Sequence, residues 1–72
     1  LGTRWSVGET APGRLPENVV AAVLAVESDL AGISTDGWRW TLTWLEGRPV
    51  VELDDGTVIR VSSSGDVETV AP

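Results

Sequence analysis

From Trp38 the chain alternates. In Trp38-Arg39-Trp40-Thr41-Leu42-Thr43-Trp44-Leu45 the large apolar residues take every second position through Trp44, and Arg39, Thr41 and Thr43 take the others. A period of two places these sets on opposite faces of a β-strand. Glu46-Gly47-Arg48-Pro49 is read as a break, after which residues 50–53, 57–62 and 67–70 are each expected to form a strand. Asp54-Asp55-Gly56 has the composition of a hairpin turn, and Ser63-Ser64-Gly65-Asp66 that of another.

Upstream the period is helical. Val19, Val20, Val23, Leu24 and Leu30 recur at three- and four-residue spacings, Pro16 suits a first turn, Glu17 complements the positive end of the helix dipole, and Gly32 supplies a stop. A helix is predicted over residues 16–31, with Val19, Val23, Val26 and Leu30 as its buried stripe. Glu17, Asn18, Ser28 and Asp29 should face water. Residues 1–15 are punctuated by Gly2, Gly8, Pro12 and Gly13 around Arg4-Trp5-Ser6-Val7, which reads as an arm or an edge strand.

These elements predict one α+β domain spanning residues 1–72, an α-helix packed on an antiparallel three- to four-stranded β-meander. Trp38, Trp40, Leu42, Trp44, Val51, Leu53, Ile59 and Val61 should form the face under the helix. Arg39, Thr41, Thr43, Val50, Glu52, Val58, Arg60 and Glu68 fall on the other.

Composition changes this picture in three ways. The chain has 72 residues and no cysteine, so a thin core without disulfides must hold it, or association must help. It has four tryptophans and no phenylalanine, tyrosine or methionine, so tryptophan carries all the aromatic packing. The rings at 38, 40 and 44 are read as core, the alternative being an exposed platform. Trp5 either folds back onto its own core or docks into another copy. Eleven acidic residues against five arginines give a net charge of −6, which disfavours a general nucleic-acid binder.

Candidate chemistry is sparse. With no histidine, cysteine or lysine, the serines lack the partners that would activate a nucleophile, so neither catalysis nor a cofactor is expected. Asp54-Asp55-Gly56-Thr57 lacks the spaced ligands of a calcium loop, and no metal site is assigned. The longest apolar stretch, residues 19–26, is too short to span a bilayer, so no membrane partner is expected and the cytoplasm is the expected location. Because the chain begins at Leu1, it is expected to be a processed or excised piece.

A helix followed by a meander with Asp55-Gly56 and Gly65-Asp66-Val67 turns loosely resembles PepSY-type modules over residues 16–70. The resemblance implies a role in protease inhibition or regulation and assigns no functional residue.

The function expected is therefore a non-enzymatic protein-interaction module, a subunit or regulator of a larger assembly. Another protein should be its partner, through Trp5, Arg39, Thr41, Thr43, Glu52 and Arg60. A homodimer is expected as well, with the Trp5 arm added to a neighbouring sheet. Two alternatives stay open. An acidic inhibitor or decoy would need Glu46, Glu52, Asp54, Asp55 and Glu68 on one surface, and a small-ligand or carbohydrate binder would need exposed tryptophans.

Overall fold

A computed structural model describes residues 2–72 as an α+β fold, one helix packed on an open five-stranded antiparallel sheet. The strands are β1 (Thr3–Ser6), β2 (Arg39–Leu45), β3 (Arg48–Leu53), β4 (Val58–Val61) and β5 (Val67–Val70), and they lie in the sheet in chain order. The helix α1 (Glu17–Asp29) falls between β1 and β2. Five strands replace the expected three or four because the N-terminal arm joins the sheet in cis: Trp5 pairs with Trp40 and Arg4 with Thr41.

The helix begins at Pro16, whose carbonyl accepts from the N–H groups of Val19 and Val20, both at 3.1 Å. Proline fits here because its missing N–H would have had no partner inside the helix. Val19 and Val23 are buried, and Val26 and Leu30 pack against the core half-buried, as the predicted stripe requires. The helix lies over β4 and β5. On the long connection from β1, Leu15 is buried in the same core and Ala11 packs against it.

The three hairpins turn in two ways. Glu46 and Gly47 both take positive φ, 53° and 77°, as a two-residue hairpin turn of type I′ demands. The break expected at Glu46-Gly47-Arg48-Pro49 is thus two residues long, and the chain returns to strand at Arg48. Proline is tolerated in β3 because of ladder parity. The N–H of Leu53 points to Thr57 across the β3–β4 pair, so position 49 also faces β4, level with the end of that strand.

The other two turns share one geometry. Gly56 N–H donates to Leu53 and Leu53 N–H to Thr57, while Gly65 N–H donates to Ser62 and Ser62 N–H to Asp66. Each is a three-residue loop ending on a glycine at positive φ, which an L-residue fills only with strain.

The inner face holds Trp5, Trp40, Leu42, Val51, Leu53 and Ile59, all buried. Burying each such side chain contributes roughly 1.5–3 kcal/mol relative to exposure. Trp38 and Val61 lie half-buried at its margin. Trp44 has the inner parity expected of it yet is 42% exposed, since it sits at the far end of β2, opposite Pro49 and away from the helix.

Candidate protein-binding face

One helix covers one face of the sheet and leaves the other to solvent. The register fixes what that outer face presents, in rows running across the strands. Arg4, Thr41, Glu52, Val58 and Val70 form one row, and Thr43, Val50, Arg60 and Glu68 the next. Ser6 and Arg39 flank the first row on one side, and Leu45 and Arg48 flank the second on the other. The expected residues Arg39, Thr41, Thr43, Glu52 and Arg60 are therefore brought together. Trp5 is not among them. It lies on the inner face, 7% exposed and stacked on Trp40, so the arm's ring is spent on the chain's own core.

Sequence reasoning had missed Arg4, Leu45, Arg48 and Val70. Arg48 and Val70 share parity with Val50 and Glu68, which could have revealed them, but Arg4 joins the face only once the arm's register is known. Leu45 is 61% and Val70 42% exposed, and Val50 and Val58 are half-buried, so apolar surface is distributed through the polar rows.

Charge is distributed unevenly over the molecule. β1 to β4 each place one arginine on this face, Arg4, Arg39, Arg48 and Arg60, against two carboxylates, Glu52 and Glu68. That is an excess of two positive charges on a chain whose total is −6, which leaves −8 on the helix, turns and loops. Arg60 and Glu68 meet at 3.2 Å, both more than half exposed, and theirs is the one ion pair among the described residues. An exposed pair of this kind contributes less than about 1 kcal/mol. A groove of about 200 Å³ runs beside it, lined by Leu45, Val50 and Val61 and bordered by Arg48, Arg60 and Glu68.

The carboxylates required for an acidic decoy are not brought to one surface. Glu46 occupies the β2–β3 turn, and Asp54 and Asp55 occupy the β3–β4 turn at the opposite end of β3. Asp54 accepts the backbone N–H of Arg39 at 2.9 Å, and Asp55 that of Thr57 at 2.8 Å, so both stabilise backbone. Glu52 and Glu68 stand among arginines. No three acidic residues among those described are grouped as metal ligands would be. Of the four tryptophans Trp5 and Trp40 are buried and Trp38 half-buried, which leaves Trp44, 42% exposed, as a single exposed ring rather than a platform of several.

Among the described residues no helix is long and apolar enough to cross a membrane. Comparison with known proteins leaves the face to be read from its own chemistry: no family model matches the chain, and no curated protein or solved structure is significantly similar to it. The resemblance to PepSY-type modules gains no support there.

Proposed function

We propose that the domain is a non-enzymatic protein-interaction module, a subunit or regulator of a larger assembly, which binds a different protein through the open face of its sheet. The observation that carries this reading is the uncovered face itself, five strands wide, with Leu45, Val50, Val58 and Val70 set among Arg39, Thr41, Thr43, Glu52 and Arg60. Mixed apolar and arginine-bearing surface is what interfaces favour, arginine anchors above all. A second copy is the less suitable occupant. Two such faces meeting about a two-fold axis would oppose four arginines to four, with only two glutamates on each side to offset them.

The test is photo-crosslinking in the native cell from two exposed positions, Thr43 on the open face and Asn18 on the solvent side of the helix. A covalent adduct with one other protein, formed from Thr43 and not from Asn18, is the expected result. Adducts from Asn18 alone, or from Thr43 to a second copy alone, would overturn the proposal.

A further inference from the structure

Resting on that reading of the open face, the geometry points to the partner's chemistry: an acidic protein segment that also carries apolar side chains, with its carboxylates on the arginines and an aliphatic side chain in the groove beside Val50. Complementarity of charge commits the face to this occupant. Four strands each contribute an arginine, and Arg4, Arg39 and Arg48 make no ion pair among the described residues. A guanidinium is weakly hydrated and presents a planar fork that a carboxylate fills with two hydrogen bonds, so the exposed Arg4 and Arg39 and the half-buried Arg48, spread across the face without ion pairs, are prepared for carboxylates. Val50 and Val58 lie among the arginines, Val70 lies beyond them on the edge strand β5, and the groove floor is Leu45, Val50 and Val61. That floor asks for an apolar side chain, which a simple anion lacks.

A nucleic acid would meet the same arginines and is the weaker fit. Glu52 and Glu68 stand within the rows where a phosphate backbone would run, and the rest of the molecule carries −8. No aromatic ring faces outward from this side of the sheet on which a base could stack: Trp5 and Trp40 are buried on the other face, and Trp44 has their parity. For an acidic protein segment the two glutamates act differently. Glu68 is paired with Arg60, whereas Glu52 makes no ion pair among the described residues and repels the segment's carboxylates, so removing Glu52 should tighten binding.

The experiment is an amide-resolved titration of the domain with three probes: a peptide alternating glutamate and valine, one alternating lysine and valine, and an oligothymidylate. The glutamate–valine peptide is expected to bind best, shifting Thr43, Val50, Arg60, Val61 and Ser62, and to weaken as salt is raised. Arg48→Glu with Arg60→Glu should weaken it by about tenfold or more, and Glu52→Gln should strengthen it. Both variants alter exposed or half-exposed side chains, and their fold is checked by the unchanged shifts of the buried Leu15, Val19 and Val23. Equal binding of the lysine–valine peptide, or tightening by the double arginine variant, would overturn the acidic partner. Preference for the oligothymidylate would overturn it in favour of nucleic acid. Failure here with a heterologous adduct still formed from Thr43 would leave the interaction face standing and remove only its acidic partner.

Discussion

Trp5 and Trp40 are direct cross-strand partners whose rings stack with centroids 6.3 Å apart and planes 21° from parallel, yet their indole N–H groups have opposite fates. That of Trp40 donates to Glu27 Oε2 at 2.9 Å, and that of Trp5 is buried with no partner. An unpaired buried donor costs about 1–3 kcal/mol. Trp5→Phe removes the unpaired group, whereas Trp40→Phe removes a satisfied one and leaves Glu27 reaching into the core. Trp40→Phe should therefore be the more destabilising by about 1 kcal/mol in urea titration. Equal costs would mean that the Trp5 N–H finds a partner in solution.

The same stack makes the arm part of the fold. Deleting residues 2–8 would uncover Trp40 and take away β1 with its bonds to β2, so the domain should lose its cooperative transition and its near-ultraviolet tryptophan signal. A shortened chain that kept both would show the arm to be an appendage, and the earlier expectation of exchange with another copy would return.

How far the fold could be read in advance follows from where the period was long. Seven residues of alternation made β2 plain, and helical spacing from Val19 to Leu30 made α1 plain. The arm offered too short a pattern to choose between edge strand and exchange, and its place depends on a non-local pairing of Trp5 with Trp40. Pro49 looked like a break because its tolerance depends on which neighbour its missing N–H would have faced. Trp44 carried the right parity, but parity says nothing of how far a helix reaches along a strand. The arginine-rich face was half legible, since Arg39 and Arg60 are in strands readable by alternation, while Arg4 enters through the arm and Arg48 through the supposed break.

Glu46 is the one non-glycine residue at positive φ among those described. The left-handed region costs an ordinary L-residue roughly 1–2 kcal/mol, and asparagine tolerates it better. Glu46→Asn should stabilise the domain by about 0.5 kcal/mol, read as a higher urea midpoint with unchanged slope. A lower midpoint would mean that the glutamate side chain contributes more than its backbone strain costs.

Glu27 ties three segments together. Its Oε2 accepts from Trp40 Nε1 on β2 and, at 3.2 Å, from the backbone N–H of Gly8 beyond β1. Glu27→Ala should cost about 1–3 kcal/mol by leaving the buried Trp40 donor unpaired, and Glu27→Gln, which keeps an acceptor, should cost much less. Thermal denaturation of the two variants side by side checks this, and equal losses would assign the effect to charge.

The central claim is that the sheet keeps one face open for another protein. Paramagnetic relaxation of side-chain methyls by a soluble nitroxide, recorded on the free domain at high micromolar concentration, tests it most directly. The account predicts strong attenuation at Leu45, Val50, Val58 and Val70, and protection at Val19, Val23, Leu53 and Ile59. Protection of the first set, as strong as that of the second, would contradict it by showing the face already covered by a second copy.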